Sequence, residues 1–232
     1  NGIVLDNTGA LAGLTVTGDG ANTAVGGNGS GGTIGGTTGV DGGTAGIGVF
    51  LRDTASVVLR RMNVTGTHDN YAIRGTRVNG FTLEYATVSG AHGTNYNAAP
   101  NNAGEGSIYF GDTANNGVTG NVVFTNNLIS GGNWRNLSII NTTAATTNLT
   151  IKGNTFGANL NNGQGDQSVA VEARGSGTVI NSVVGGPLAG EGNTFTSARS
   201  DHANFTGQTG STMDVQFRNN TLTNNHPGNN IG

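Results

Sequence analysis

The chain has 232 residues, of which 43 are glycine, 3 are proline and 10% are charged, and its formal net charge is -3. This balance argues against a charged or proline-rich disordered chain and offers no basic patch for nucleic acid, while the absence of cysteine excludes disulfides and thiolate metal sites. No apolar run approaches the roughly 18 residues that a membrane-spanning helix needs, and abundant glycine, asparagine and threonine predict many turns and short strands.

A short signature recurs along the chain from its first residues onward. Each copy has an apolar residue, a gap, a second apolar residue, and then Asn, Asp or Gly followed by Thr. The five copies span residues 3–8, 49–54, 71–76, 108–113 and 137–142. Alternate residues of a strand point to opposite faces, so each copy predicts a strand with one buried face that ends in a turn.

A second signature follows each copy after a few residues. It consists of a strand of alternating apolar residues, a small turn and one further apolar residue, as in Val57, Leu59 and Val64. The whole unit recurs at intervals of about 24 to 27 residues, with longer intervals where a loop is inserted. Stacked units of this kind predict an all-β fold, a right-handed parallel β-helix (solenoid) of about seven coils with loop insertions.

Stacking the units places equivalent apolar residues above one another in interior columns. The first predicted column contains Leu5, Leu51, Ile73, Phe110, Ile139, Val171 and Phe205. The second contains Val16, Val64, Val88, Ile129, Phe156, Phe195 and Leu222. A core this narrow needs few apolar residues per coil, which agrees with a hydrophobic content of only 34%.

A glycine-rich stretch, residues 18–48, interrupts the first unit. Its segment 35–41 is faintly similar to a calcium-binding nonapeptide repeat but lacks the required spacing and tandem copies. We therefore interpret 18–48 as a long loop excursion from the first coil and predict no cofactor, with calcium as an alternative that the residues do not support.

The charged residues favour structural roles. Asp53, Asp112 and Asp201 stand in turns beside predicted strands, where an aspartate commonly bonds its own backbone. Arg60 and Glu84 occupy equivalent outward positions one unit apart, so we expect them to pair across neighbouring coils, with at most roughly 1 kcal/mol of stabilisation if exposed. We predict no catalytic residue and no metal ligand among these groups.

Polar and aromatic residues cluster just beyond the last apolar residue of several units. We predict that six of them form an exposed contact edge for a glycan or a protein: His68, Asp69, His92, Tyr96, Trp134 and Arg135. Aromatic faces beside imidazole donors suit carbohydrate, and the two histidines near Asp69 could instead hold a divalent metal. The remaining alternative is a set of solvated loop residues that bind nothing.

Four asparagines occupy one equivalent turn position, two residues before the last apolar residue of their units. They are Asn127, Asn154, Asn193 and Asn220. A buried asparagine there can bond the amides of its neighbours along the stack. This arrangement resembles the asparagine ladder of the pectate-lyase-like right-handed β-helices, and the repeats 153–156, 192–195 and 219–222 are similar to those of that superfamily.

The resemblance extends over nearly the whole chain and, at 193–199 and 213–227, is closest to repeat-rich, adhesin-like or autotransporter-like regions of large exported bacterial proteins. It implies a fold that hosts lyases, hydrolases and adhesins alike, so it does not determine a function. The acidic signature of β-helical polygalacturonases and the Arg-containing signature of pectate lyases are both absent.

We therefore predict a structural or adhesive module: residues 1–232 form a single β-helix segment of a longer exported protein, located outside the cell or on its surface. The expected partners are a cell-surface glycan or protein, or other copies of the chain joined end to end, with no nucleic acid and no membrane insertion of this segment. The alternative function is a polysaccharide-binding domain or a polysaccharide lyase or glycoside hydrolase.

Overall fold

The computed structural model describes residues 1–11, 13–94, 104–112, 114–160, 166–208 and 210–226. Within these ranges the chain is almost entirely β-strand, the strand pairings are parallel, and one short 3-10 helix (Ala189–Glu191) is the only helical segment. The predicted all-β class is therefore confirmed. No helix in the described part of the chain is long and apolar enough to cross a membrane.

Nineteen strands make up the described structure. They are β1 (Ile3–Gly9), β2 (Thr15–Val16), β3 (Gly32–Thr37), β4 (Ile47–Arg60), β5 (Met62–His68), β6 (Tyr71–Glu84), β7 (Thr87–His92), β8 (Ile108–Phe110), β9 (Val118–Thr125), β10 (Leu128–Ile129), β11 (Leu137–Asn141), β12 (Ala145–Lys152), β13 (Thr155–Phe156), β14 (Val169–Ala173), β15 (Thr178–Gly185), β16 (Thr194–Phe195), β17 (Ala203–Gly207), β18 (Thr212–Arg218) and β19 (Thr221–Leu222).

The strands form a large sheet of 12 strands and a small sheet of 7 strands. The large sheet has two wings because β4 and β6 are long enough to pair with different strands at their two ends. The first wing contains β1, β8, β11, β14 and β17, and the second contains β2, β9, β12, β15 and β18. In the described ranges, the chain visits the first wing, the second wing and the small sheet in that order seven times.

The corners between the wings use backbone that turns sharply. In β4, Asp53 and Ser56 have φ angles of 49° and 53°, and in β6 Arg77 and Gly80 have φ angles of 53° and 79°. Non-glycine residues adopt this left-handed conformation rarely, because the Cβ atom approaches the backbone. Residues 47–60 are assigned as one strand, but the backbone turns a corner between Asp53 and Ser56, so the two ends of this strand lie in different wings.

The core lies between the wings and the small sheet and is built from the inward residues of successive strands. The first predicted column is correct at most levels, because Leu5 pairs with Leu51 and Ile139 pairs with both Phe110 and Val171. The residue predicted for β6, Ile73, is wrong, because Leu51 and Phe110 both pair with Gly75. A Cβ atom on Gly75 would lie 2.3 Å from carbons of the Phe110 ring, so this level has glycine where the ring needs space.

The second predicted column is wrong at its first level. Val16 pairs with Leu59 in the second wing, whereas the residue that pairs with Val64 in the small sheet is Ile34. Ile34 belongs to β3, which lies inside the stretch 18–48. The prediction that this whole stretch is a loop is therefore wrong for residues 32–37, where three glycines and two threonines around a single isoleucine form a paired strand, and for residues 47–48, which begin β4.

The remaining glycine-rich backbone at 17–31 is held by a buried arginine. Arg61 is 5% exposed, and its Nε and Nη1 donate to the carbonyl oxygens of Asn22 and Thr17 at 2.6 and 2.7 Å. Asp19 lies 3.3 Å from Arg61 Nε and accepts hydrogen bonds from the amides of Ala21 and Asn22. These contacts give a loop with few apolar side chains a defined path.

Ion pairs cross between neighbouring strands on the outer surface. The predicted pair is confirmed, since Arg60 Nε lies 2.6 Å from Glu84 Oε2 and the two residues are in register. Arg52 pairs in the same way with Asp6. Because these side chains are partly exposed and screened by solvent, the pairs contribute little to the stability of the fold.

Candidate functional site

The structure places the two histidines of the predicted contact edge in the interior. His68 and His92 end β5 and β7, pair in register, and are both 0% exposed. Their ring centroids lie 5.4 Å apart with a tilt of 34°. Neither imidazole lies on an exposed edge, so the surface position expected from the sequence is wrong for both of them.

Each imidazole has one nitrogen bonded to a hydroxyl group. His68 Nδ1 lies 2.9 Å from Thr37 Oγ1, and His92 Nδ1 lies 2.9 Å from Ser107 Oγ. The Ser107 hydroxyl donates to the Ser130 carbonyl oxygen at 2.8 Å, so it must accept its other bond from the N–H of His92 Nδ1. The Nε2 atoms of both rings are buried and have no hydrogen-bond partner among the described residues.

Burial keeps both rings neutral. It lowers the pKa of His92 to about 3, and the neighbouring His68 acts in the same direction. Burial also lowers the pKa of His68, although Asp69 acts to raise it. A neutral, buried imidazole cannot serve as a surface hydrogen-bond donor to a ligand.

Of the other predicted edge residues, Asp69 has a structural contact and Tyr96 is not among the residues that the structure describes. Asp69 is partly buried, and its Oδ2 accepts a hydrogen bond of 3.0 Å from the amide of Gly39, so it supports the loop before β4.

Trp134 and Arg135 form a compact polar network at the start of the next level. The indole Nε1 of Trp134 donates to Asp166 Oδ2 at 3.0 Å, and the guanidinium carbon of Arg135 lies 3.7 Å from the indole centroid. Arg135 also bonds Gln167 Oε1 at 2.6 Å and Glu172 Oε1 at 2.8 Å. Since Trp134 is only 8% exposed and the Arg135 guanidinium lies over its ring, it offers little aromatic surface for stacking on a sugar.

Glu172 connects this network to a second arginine. Its Oε2 lies 2.6 Å from Arg174 Nη2, so one carboxylate sits between the guanidinium groups of Arg135 and Arg174. Burial acts to raise the pKa of Glu172, but the two arginines outweigh burial and lower it. A carboxylate held ionised by two cations is a poor general acid, which makes a structural role the better reading of this group.

Sequence reasoning missed an arginine and a tyrosine on the outside of the first wing. Arg74 pairs in register with Phe50 and Tyr109, and its guanidinium carbon lies 4.4 Å from the Tyr109 ring centroid and 5.3 Å from that of Tyr71. Tyr71 and Tyr109 belong to a separate apolar cluster that also contains Trp134. The signal in the sequence was the outward position of residues 74 and 109 within the first signature.

The feature of chemical interest in this apolar cluster is the guanidinium of Arg74, which is held in place by its neighbours. Arg74 Nη1 donates to the carbonyl oxygen of Gly75 at 3.1 Å, and among the described residues no carboxylate lies within ion-pair distance of Arg74. Burial raises the pKa of Tyr71 and of Tyr109, against the opposing effect of Arg74, so neither phenol supplies a base near neutral pH. Arg74 therefore holds its guanidinium against two aromatic rings on this face.

The four predicted ladder asparagines are in direct contact along the stack. Asn154 Oδ1 accepts from both the backbone N and the side-chain Nδ2 of Asn127, each at 2.9 Å. Asn193 Oδ1 does the same for Asn154, and Asn220 Oδ1 for Asn193. The other Nδ2 hydrogen of each buried asparagine reaches a backbone carbonyl, as from Asn154 to Phe124 at 2.9 Å. These side chains bond one another and the backbone of the turns, so few of their donors and acceptors remain available to a ligand.

Among the residues that the structure describes, no group of three or more His, Cys, Asp or Glu side chains is arranged to hold a metal ion. In the stretch that is faintly similar to a calcium repeat, residues 32–37 are in β3 and the amide of Gly39 is bonded to Asp69.

No family model, curated protein or solved structure matches this chain, so the resemblance of its repeats to the pectate-lyase-like superfamily stays a prediction.

Proposed function

We propose that the chain is a right-handed parallel β-helix that serves as a structural or adhesive module of a large exported bacterial protein. The observation that carries this proposal is the repetition of one strand order, first wing, second wing and small sheet, with each strand paired in parallel to its equivalent one level away. Parallel strands joined by crossover connections are almost always right-handed, which supports the proposed hand.

A role as a rigid scaffold is supported by how the polar residues are used. The asparagine ladder satisfies turn backbone, Glu172 is bonded to two arginines, and Arg61 fixes the glycine-rich loop. Groups committed to such contacts are preorganised for stability and are poorly placed to exchange protons with a substrate. The proposed module therefore supports partner contact on its surface rather than turnover.

The partner surface that we favour is the outside of the first wing around Arg74. A guanidinium held against two aromatic rings keeps a defined plane, so it loses little conformational freedom when it binds an anionic group of a cell-surface glycan or protein. Self-association end to end is a further part of the proposal, because parallel coils of two copies can stack through the same backbone pairing that joins coils within one chain.

The test combines a glycan array with a screen for lyase and hydrolase turnover on the same purified chain. We expect binding without release of oligosaccharide, and we expect Arg74→Gln to weaken that binding by about tenfold or more because a charge-assisted bond is lost. Arg77→Gln is the matched control, since Arg77 is on the same strand but bonded to Asp53. Turnover above a no-protein control would overturn the proposal, and equal loss in both variants would overturn the role of Arg74.

A further inference from the structure

The stacked histidines connect three strands at one edge of the small sheet. His68 of β5 contacts Thr37 of β3 on one side and the ring of His92 of β7 on the other. In the strand order of the small sheet, β3 is the outermost strand and pairs with β5. A change at His68 therefore acts directly on the attachment of β3, which within the described structure is paired on one side only, to β5.

A proton added to this pair would meet only backbone acceptors: Thr65 acts to raise the pKa of His68, and Ser89 and Ser130 that of His92, but burial outweighs them. Each ring already uses Nδ1, and each Nε2 is buried without a partner in the described part of the chain. The new charge would also face a second imidazole 5.4 Å away in an interior with almost no exposed surface. Burial of an unpaired charge is strongly unfavourable, so the closed structure resists protonation.

The charged groups around the pair do not compensate for such a proton. On β5 and its turn, Asp69 favours protonation of His68, but its Oδ2 is bonded to the Gly39 amide. The α-amino group of Asn1 opposes protonation of His68. On the connection before β8, the carboxylate of the buried Glu105 accepts hydrogen bonds from the amides of Gly42 and Thr94.

We propose that the His68–His92 pair is an acid-sensitive latch: it holds β3 and the following loop, residues 38–46, on the small sheet at neutral pH and releases them when the pair is protonated. His68 is the first site of protonation because it lies next to the edge strand and near Asp69. His92 follows once the first strand has opened and water reaches its ring. The latch acts independently of whether the chain is an adhesin.

The direction and size of the pH effect follow from linkage. Both rings are neutral in the closed state, whereas an imidazole in an opened segment has a pKa of about 6.5. The open state therefore binds more protons as pH falls below that value, and closure is weakened progressively down to the closed-state pKa of His92, about 3. Between pH 7 and pH 5, an imidazole with the closed-state pKa of His92 and an open-state pKa of about 6.5 shifts the opening equilibrium by roughly 25-fold.

Hydrogen–deuterium exchange measured by mass spectrometry at pH 7 and pH 5, with rates corrected for the intrinsic effect of pH, tests the latch. We expect opening of peptides covering 32–46 and 62–68 to increase roughly 25-fold at pH 5, while peptides covering β12 and β15 stay protected. The double variant His68→Gln/His92→Gln should remove the pH dependence. His202→Gln, which changes an imidazole on Phe195 far from β3, should leave the pH dependence intact.

Three results would overturn the latch: equal protection at both pH values, a pH effect that persists in the double variant His68→Gln/His92→Gln, or loss of protection in all strands together. If the double variant does not fold, the imidazole resonances of the unmodified chain decide the question by NMR titration. A latch requires both rings to stay neutral until the β3 amides open, whereas ordinary titration near pH 6.5 without opening contradicts it.

Discussion

Replacing Asn154 by alanine removes one residue from the middle of the buried asparagine ladder. Asn154 is 1% exposed, and its side chain makes four hydrogen bonds: two accepted from Asn127, one donated to the carbonyl oxygen of Phe124 and one donated to Asn193. The substitution leaves two donor hydrogens of Asn127 and the Phe124 carbonyl without these partners. Each buried polar group left unsatisfied costs about 1–3 kcal/mol, and since neighbouring losses are not additive we expect roughly 3–5 kcal/mol in total.

The structure supplies a matched control on the same strand-turn unit. Asn148 also belongs to a column of asparagines, bonded to Asn121 at 3.4 Å and to Asn181 at 3.1 Å, but this column lies on the outside of the second wing and is exposed. Because water replaces the lost partners there, we expect Asn148→Ala to change the free energy of unfolding by no more than about 0.5 kcal/mol.

Urea unfolding followed by circular dichroism measures both variants against the unmodified chain. The expected result is a lower midpoint for Asn154→Ala at an unchanged m-value, and a midpoint close to the original for Asn148→Ala. If the two variants lose the same stability within about 1 kcal/mol, burial of the ladder is not what makes it stabilising, and the reasoning from unsatisfied backbone groups fails.

Three further substitutions probe the packing and the loops. Gly75→Ala places a Cβ atom 2.3 Å from the Phe110 ring and should destabilise the chain by about 1–3 kcal/mol in urea unfolding, with recovery when Phe110→Leu is added; no recovery would mean that the ring is not the obstacle. Arg61→Gln removes the bonds to two loop carbonyls, so limited proteolysis should cleave within 18–31 at a higher rate, and an unchanged rate would contradict the anchoring role. Arg60→Ala breaks only a partly exposed ion pair with Glu84, so a midpoint shift equivalent to more than about 1 kcal/mol would show that the pair does more than a surface contact.

The sequence alone determined the features that repeat from level to level. Alternating apolar residues identified the strands, and equal spacing along the repeats placed Arg60 beside Glu84 and put four asparagines at one turn position. These predictions depend only on local periodicity and on counting residues between equivalent positions. The physical reason is that parallel strands one level apart present the same backbone pattern, so a residue and its equivalent meet directly.

Only the tertiary structure decided how the chain departs from that repetition. Residues in left-handed conformation place corners within continuous strand signals. The register of β4 and β6 pairs Leu51 with Gly75 and Ile73 with Val49, two residues away from the alignment of the repeats. Ile34 was hidden because its strand is otherwise glycine and threonine, so it becomes apolar core only by pairing with Val64.

The candidate contact edge shows the same limit. Counting residues past the last apolar position correctly placed His68 and His92 one level apart, but it could not show which way they face. Their burial depends on Thr37 and Ser107, which come from other strands and connections and meet the rings only when the sheets pack. A periodic sequence determines which residues stack on one another, whereas the surroundings of each stack, and therefore its charge state and its access to solvent, are set by contacts between distant segments.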